Sequence, residues 1–182
     1  MNRMATSTRL TIEDFEKLPA EAVKHRELVD GELIDVSGNN LGHNRLRDLL
    51  VRLLAPLVEQ QKLGEIISEQ EYDFDGNAHG PDVSFVAASK VPLLDRNRRV
   101  QRLVPDLAIE IESPNDTFVS LNKKAQRYRR CGTKEVWLLS IEGRQAYLYS
   151  ERQNVILDEN GEFRSDLIPG FSIRLGALFD RV

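Results

Sequence analysis

The chain has 182 residues, the size of one ordinary domain that can bury a sizeable core. Its net charge of −4 at pH 7, with 30% charged residues, is typical of a soluble globular protein and argues against a surface that is basic throughout. The single cysteine, Cys131, excludes an internal disulfide framework and favours a reducing compartment, with the cytoplasm as the default. No apolar stretch approaches the ~20 residues of a membrane span. Residues 1–9 lack a signal-peptide core and are expected to form a flexible tail.

The first third of the chain predicts a hairpin and a long helix. Thr11, with an acid three residues later at Asp14, is a capping-box-like start for a short helix. The segment RELVDGELIDV has two apolar-bearing runs around Asp30-Gly31, which is the strongest short-range signal of a β-hairpin. Leucines recur at spacings of three and four between Leu41 and Lys62, and this spacing predicts an amphipathic helix.

The rest of the chain predicts mainly strands. EIISEQEYDF and PDVSFVA are each typical of a strand and are separated by the turn-rich DGNAHG; DLAIEIE is a third strand, reached through a basic excursion. A helix predicted from Asp116 to Cys131 ends at Gly132 and is followed by the strand patterns EVWLLSI, QAYLYS and NVILD. No repeat or linker interrupts this order, so the sequence predicts one α+β domain over residues 10–182.

The strand pattern PDLAIEIESPND contains acids within an apolar run. Alternation places one face of apolar side chains against a second face that carries Asp106, Ala108, Glu110 and Glu112. Buried charges are costly unless they are paired, so these acids are expected to have a positively charged partner. Asp82, at the start of the preceding strand pattern, adds a fourth carboxylate. Hard oxygen ligands of this kind suit Mg²⁺ or Mn²⁺ rather than zinc.

The helix that follows these acids supplies a cation. Its predicted apolar stripe consists of Phe118, Leu121, Ala125 and Tyr128. Lys124 lies on this inward stripe, whereas Lys123, Arg127 and Arg130 form a separate outward stripe. A lysine aimed at the sheet is costly unless it meets an anion. The alternative, that Lys124 extends along the edge of the core to reach water, is equally compatible with the periodicity.

The ordered series of these motifs resembles a known family. PDVSFV, PDLAIEIESPND, KKAQRY, CGTKEVWLL and the earlier RELVDGELI are together similar to the Uma-type putative restriction-endonuclease family of the PD-(D/E)XK nuclease superfamily. The resemblance covers about Leu10 to Phe179. It implies a restriction-endonuclease-like α+β fold, in which helices flank a mixed central β-sheet and a hairpin lies near the N-terminus.

The resemblance also implies an activity, Mg²⁺-dependent hydrolysis of DNA phosphodiester bonds, with Mn²⁺ as a substitute ion. Asp82 corresponds to the Asp of the motif and Glu110 to its (D/E) position. These two carboxylates and the backbone carbonyl of Ile111 would hold the ion, with Glu112 as a further ligand through water. Glu112 stands where the motif lysine is expected, and Lys124 falls where this family displaces that lysine onto the following helix.

Four further roles follow from the resemblance. Lys124 would orient the attacking water or stabilise the oxyanion, and Lys123 is the alternative for this role. Glu27 and His43 match polar, site-facing positions of the family. Glu27 could instead be an ordinary exposed acid of the hairpin. His43 could instead be a residue at the start of the helix that contacts the backbone.

The remaining polar residues carry weaker signals. Candidate phosphate contacts are Arg96, Arg98, Arg99, Arg102, Lys123, Arg127 and Arg130. At least half of them are expected to be solvated surface only. His25 and His79 are isolated from any ligand spacing, and Cys131 is expected to pack rather than react.

Two alternatives to a DNA endonuclease remain open at this stage. One is a nuclease-derived module that binds nucleic acid or protein without cutting, which the acid at position 112 favours. The other is a metal-dependent hydrolase of a smaller phosphodiester. For an endonuclease, cutting both strands is easiest for a two-fold homodimer.

Overall fold

The structure is a computed structural model that describes residues 9–36, 38–114 and 116–182. Of the predicted tail, residues 1–8 lie outside the described residues. The helices are α1 (Ile12–Lys17), α2 (Ala20–Val23), α3 (Leu41–Gln60), α4 (Phe118–Arg130) and α5 (Leu175–Phe179). The strands are β1 (Arg26–Val29), β2 (Glu32–Asp35), β3 (Gly64–Ser68), β4 (Glu71–Asp73), β5 (Ala78–His79), β6 (Val83–Ala87), β7 (Val100–Gln101), β8 (Leu107–Ile111), β9 (Glu135–Ser140), β10 (Gln145–Tyr149), β11 (Asn154–Leu157), β12 (Glu162–Arg164) and β13 (Ser172–Arg174).

A six-stranded sheet in the order β11-β10-β9-β8-β6-β3 forms the centre of the fold. Its β8 and β9 strands are parallel and are joined through α4, while its other neighbouring strands pair antiparallel. The mixed sheet and its flanking helices confirm the predicted α+β class. The connection through α4 places that helix directly after the strand that carries the predicted acids.

The predicted alternation of side chains along β8 is confirmed, because its two faces pack against different helices. Leu107, Ile109 and Ile111 pack in the larger core cluster together with the leucines of α3, whereas Ala108 packs on the opposite face with α4. Helices on both faces therefore bury the apolar side chains of the sheet. Glu110 follows Ala108 on the α4 face and is only 5% exposed.

A second sheet, in the order β2-β1-β5-β4-β7, carries the predicted hairpin. Val29 pairs with Glu32 across a two-residue turn in which Asp30 and Gly31 have φ of 51° and 83°. Positive φ at both central residues is what a type I′ hairpin requires, so the Asp-Gly signal is confirmed. The antiparallel pairing of β1 with β5 brings this hairpin next to residues about fifty positions later in the chain.

Two local predictions were wrong. EIISEQEYDF is not one strand, because Glu69 adopts a φ of 54° and divides the segment into β3 of the central sheet and β4 of the second sheet. Phe118 does not face the core, since it is the first residue of α4 and is 46% exposed, with its ring 4.6 Å from that of Tyr147. The capping boxes of α1 and α4 are both present. Within the described ranges no helix has the length and apolarity needed to cross a bilayer.

Candidate active site

The two motif carboxylates lie on neighbouring antiparallel strands. Val83 of β6 pairs with Ile109 of β8, so Asp82, which directly precedes β6, lies opposite Glu110. Side chains that face each other in this way have Cβ atoms ~5 Å apart. An Oδ2 atom of Asp82 also accepts a hydrogen bond of 2.7 Å from the backbone N–H of Ile111. The register of the sheet therefore fixes the Asp82–Glu110 pair.

Lys124 reaches these carboxylates from α4. Its Nζ lies 3.2 Å from Oε2 of Glu110 and 3.0 Å from Oε1 of Glu27, which β1 of the hairpin contributes. The side chain of Lys124 is 21% exposed, so this contact is made largely out of water. Of the two arrangements that periodicity left open, the structure shows the one in which Lys124 meets anions.

A further hydrogen bond holds the second oxygen of each carboxylate that contacts Lys124. The hydroxyl of Tyr128 donates to Oε1 of Glu110 at 2.5 Å, and Nδ1 of His79 lies 2.9 Å from Oε2 of Glu27. Glu27 and His79 are opposite positions of β1 and β5, because Leu28 pairs with Ala78. Both Tyr128 and His79 are buried below the site.

His43 contacts the remaining carboxylate. It lies in the first turn of α3, where the side chain of Asn40 caps the helix by accepting from the His43 N–H at 2.9 Å. Its Nε2 is 3.2 Å from Oδ1 of Asp82, and the side chain is almost fully buried. Its Nδ1 is buried without a hydrogen-bond partner. The structure thus places His43 beside the motif Asp rather than on the helix backbone alone.

The electrostatics of these groups follow from burial and from their close approach. Burial, reinforced by the charges of Asp82 and Glu27, raises the pKa of Glu110 to about 7 against the opposing charge of Lys124. Burial also raises the pKa of Glu27, but Lys124 and His79 outweigh it and leave that pKa lowered to about 2. Burial lowers the pKa of Lys124, yet Glu110 and Glu27 together leave that pKa above its ordinary value.

A cavity of about 550 Å³, which we call the carboxylate cleft, is lined by Glu27, His43, Asp82, Glu110 and Lys124. Its acidic residues are Glu27, Glu69, Glu71, Asp82, Glu110 and Asp116. Its lysines and arginines are Lys24, Arg26, Arg47, Arg99 and Lys124. Six acids against five bases give no excess of positive charge, so the cleft alone would not attract a polyanion. A bound cation would change that balance.

Three sequence-predicted residues lie elsewhere. Asp106 is at the opposite end of β8 from Glu110, about 13 Å along the strand, and is paired with Lys90 and Lys134 at 3.1 Å each. Glu112 lines a separate hollow of about 70 Å³ between the start of α4 and strands β9 and β10. Lys123 is exposed and lines a neighbouring cavity, not the cleft.

That neighbouring cavity, the hairpin groove, has a volume of about 740 Å³ and lies between the β1–β2 hairpin and α4. Lys124, Glu27 and Asp116 line both cavities, so the groove adjoins the cleft. Lys123 and Arg127 are its other basic residues, and Arg127 pairs with Asp30 at 3.2 Å.

Besides Arg127, two of the predicted phosphate-contacting arginines have acidic protein partners. Arg99 makes two hydrogen bonds of 2.5 and 2.7 Å to Glu71 at the edge of the cleft. Arg102 contacts three acids, Glu13, Glu16 and Asp73. Arg96, Arg98 and Arg130 are exposed.

The sequence did not predict the site contacts of His79, Tyr128 and Arg47. His79 was predicted to be isolated, because its contact with Glu27 depends on sheet pairing across 52 positions. Tyr128 was correctly placed in the core, but its hydroxyl contact was not foreseen; its spacing of four from Lys124 was the available signal. Arg47, which lines the cleft and pairs with Glu69, lies on the polar side of the α3 pattern.

The donor set of the cleft fits a hard divalent ion. No group of three or more His, Cys, Asp and Glu side chains within the described ranges is placed to hold a metal. Asp82 and Glu110 supply two facing carboxylates, and Mg²⁺ is commonly held by one or two carboxylates while it retains several waters. Each carboxylate oxygen has two lone pairs, so the hydrogen bonds to Ile111 and Tyr128 leave capacity for an ion.

The mixed sheet, the α4 crossover and the terminal hairpin define a restriction-endonuclease-like α+β protein. The Uma2 family, described as "Putative restriction endonuclease", matches residues 12–176. The chain therefore belongs to the Uma2 family.

The chain is also similar to a second protein sequence and to a solved structure. The protein named "Uncharacterized protein sll1609" from a Synechocystis species is 29% identical over 144 residues, which cover 75% of this chain and 77% of that protein. A crystal structure from Anabaena variabilis, described as a putative nuclease belonging to DUF820, superimposes with a TM-score of 0.84. The match covers 94% of this chain and 98% of the other at 20% identity, so it supports the shared fold alone.

Proposed function

We propose that this protein is a divalent-metal-dependent endonuclease that hydrolyses phosphodiester bonds in DNA. The observation that carries the proposal is the convergence of Asp82, Glu110 and Lys124, from three different elements, on one cleft. Two facing carboxylates and a nearby ammonium group can serve a reaction in which water attacks an anionic ester. Family membership supplies the reaction class.

Asp82, Glu110 and the backbone carbonyl of Ile111 would hold Mg²⁺ or Mn²⁺. Such an ion would lower the pKa of a bound water and neutralise charge on the phosphoryl group. The structure favours a ligand set without Glu112, because that side chain lines a different hollow. His43, 3.2 Å from Asp82, would hold the orientation of that carboxylate.

Lys124 would orient the attacking water or stabilise the oxyanion with its Nζ. Its raised pKa keeps the ammonium charged at neutral pH, which suits an electrostatic role and not that of a general base. Glu27, at 3.0 Å from its Nζ, would hold Lys124 in place together with Glu110. The structure therefore favours Lys124 over Lys123 for this role.

DNA would approach along the edge of the cleft and the hairpin groove. Arg47 and Arg99 stand at the cleft, and Lys123 and Arg127 line the groove. Phosphate contacts from such residues position the duplex without reading its sequence. A two-fold dimer would place two clefts on the two strands, and we include it in the proposal.

The test is incubation of the purified protein with supercoiled plasmid in Mg²⁺, Mn²⁺ or EDTA. Nicked or linear plasmid should form with either metal, should be abolished by EDTA, and should be lost in Glu110→Gln. The matched control is Glu112→Gln, which neutralises an acid two residues along the chain outside the cleft and should cut at the wild-type rate. Equal cutting by both variants, or cutting in EDTA, would contradict the proposed site.

A non-cleaving binding module is the second candidate. Lys124 already pairs with both Glu27 and Glu110, and such an ion-pair network could be purely structural. A wild-type protein that retards the plasmid in a gel but leaves it intact with both metals would favour this candidate. Hydrolysis of bis(p-nitrophenyl) phosphate without plasmid cutting would instead indicate a hydrolase of smaller phosphodiesters.

A further inference from the structure

We infer that Tyr128 and His79 are positioning residues that fix the two carboxylates around Lys124. The effect of these residues on cleavage rests on the proposed function, whereas their effect on the positions of the two carboxylates does not depend on it. Each residue takes one oxygen of a site carboxylate and leaves the other oxygen to Lys124. Their hydrogen bonds at the site go to Glu110 and to Glu27.

The two contacts are alike in arrangement. Glu110 accepts from Tyr128 through Oε1 and approaches Lys124 through Oε2. Glu27 meets His79 through Oε2 and Lys124 through Oε1. A glutamate side chain has three rotatable bonds, and anchoring one oxygen removes most of that freedom. The second oxygen of each carboxylate is thereby held toward Lys124.

The two anchors are themselves fixed by packing. The rings of His79 and Tyr128 lie 5.7 Å apart, edge to face, and the ring of Phe74 stacks on Tyr128 at 4.2 Å. Phe74 also packs on His79, with ring centroids 5.9 Å apart. These three rings form a buried aromatic layer beneath the cleft. A rigid layer of this kind is what holds functional side chains in a reactive geometry.

Loss of one anchor should loosen a specific carboxylate. Outer contacts of this type commonly affect metal affinity or activity by ~10–100-fold when they are removed. Tyr128→Phe removes only the hydroxyl, so Glu110 should become free to turn toward Lys124 with both oxygens. His79→Leu removes the partner of Glu27 Oε2 and leaves Oε1 with Lys124 and the backbone N–H of Gly80, at 3.3 Å. The proposed function places Glu27 on Lys124 and not on the metal. The two variants should therefore differ in their effect on metal binding.

The chain offers a matched control for Tyr128→Phe. Tyr72 is also fully buried, packs in the same core cluster, and makes a hydroxyl contact of 2.7 Å with Ser84. Tyr72→Phe therefore removes a buried hydroxyl without touching a site carboxylate. The two Phe variants should lose similar thermal stability and differ only at the site.

The first measurement is a crystal structure of each metal-free variant. In Tyr128→Phe, Oε2 of Glu110 should leave its position 3.2 Å from Lys124 or the carboxylate should become bidentate, whereas Tyr72→Phe should retain the wild-type arrangement. In His79→Leu, the Glu27 carboxylate should move. In His79→Asn, the side-chain amide can take the place of Nδ1, so the carboxylate should return to its wild-type position. Unmoved carboxylates in Tyr128→Phe and His79→Leu would overturn the inference, whatever the protein's activity.

The second measurement is Mn²⁺ affinity by calorimetry, together with single-turnover cleavage. Tyr128→Phe should bind Mn²⁺ about tenfold or more weakly, and Tyr72→Phe should remain within about twofold of wild type, the spread expected of a change that misses the site. His79→Leu should slow cleavage while Mn²⁺ affinity stays near wild type, with rescue by His79→Asn. Equal Mn²⁺ affinities for both Phe variants would overturn the inference. A wild type that binds Mn²⁺ but does not cut would refute the nuclease proposal alone.

Discussion

Neutralising Glu110 should stabilise the metal-free protein at alkaline pH. The pKa of Glu110 is raised from 4.5 to about 7 in the folded state, chiefly by burial, so ionisation of this group opposes folding. The folded protein binds more protons than the unfolded chain between these two values, and stability therefore falls as pH rises through that window. The difference between these two pKa values lowers the free energy of unfolding by up to about 3 kcal/mol above pH 7 and by almost nothing below pH 4.5.

Glu110→Gln removes this penalty because glutamine has nearly the same shape and no charge. In EDTA at pH 8 the variant should be more stable than wild type by up to about 3 kcal/mol, or roughly 6–12 °C in Tm for a chain of this size. At pH 5 the two proteins should differ little. Urea unfolding at both pH values measures the two free energies of unfolding.

Mn²⁺ should reverse the order at pH 8. Wild type should gain stability with rising Mn²⁺, whereas Glu110→Gln should gain far less, because only the wild type keeps both carboxylates of the ion site. Glu112→Gln is the control and should follow wild type throughout. A Glu110→Gln protein that is less stable than wild type at pH 8 in EDTA would refute the reasoning and indicate that the Lys124 ion pair dominates.

Three further predictions concern the other charged groups. Lys124→Ala should slow single-turnover cleavage by roughly 10²–10³-fold with little change in DNA affinity, by analogy with loss of one oxyanion donor. Lys123→Ala should leave the chemical step intact and reduce by about one the slope of log affinity for DNA against log salt concentration. Asp82→Ala and Glu110→Ala should each bind Mn²⁺ far more weakly than wild type in calorimetric titrations, and unchanged titrations would reject the ion site. Asp106→Ala should lower the free energy of unfolding by about 1–3 kcal/mol, because it leaves the backbone N–H of Ala87 without its acceptor and removes the partner of two partly exposed lysines, yet the folded protein should bind Mn²⁺ normally.

Local sequence patterns were sufficient where neighbouring residues decide the structure. The alternation of Leu107, Ile109 and Ile111 identified the core face of β8, and Asp30-Gly31 identified the hairpin turn. Helical periodicity placed Lys124 toward the sheet, which the structure shows. In each case the pattern that carried the prediction lies within one element or one turn.

Contacts across the sheets required the structure. Glu27 meets His79 because β1 pairs with β5, a strand of only two residues within a segment that looks like a turn. Asp106 shares a face with Glu110, but the two residues lie at opposite ends of β8 and have different partners, Lys90 for Asp106 and Lys124 for Glu110. Neither the pairing nor the neighbours can be deduced from spacing along the chain, since both depend on which strands lie side by side.

The Asp82–Glu110 ion site is most directly tested by anomalous diffraction from crystals soaked in Mn²⁺. We expect one strong peak about 2.0–2.3 Å from a carboxylate oxygen of Asp82, one of Glu110, and the backbone carbonyl of Ile111, with waters completing the shell. Soaked crystals of Glu110→Gln should lack that peak. A wild-type crystal with Mn²⁺ bound elsewhere, or with Lys124 still bridging Glu27 and Glu110 and no ion beside Asp82, would contradict the account.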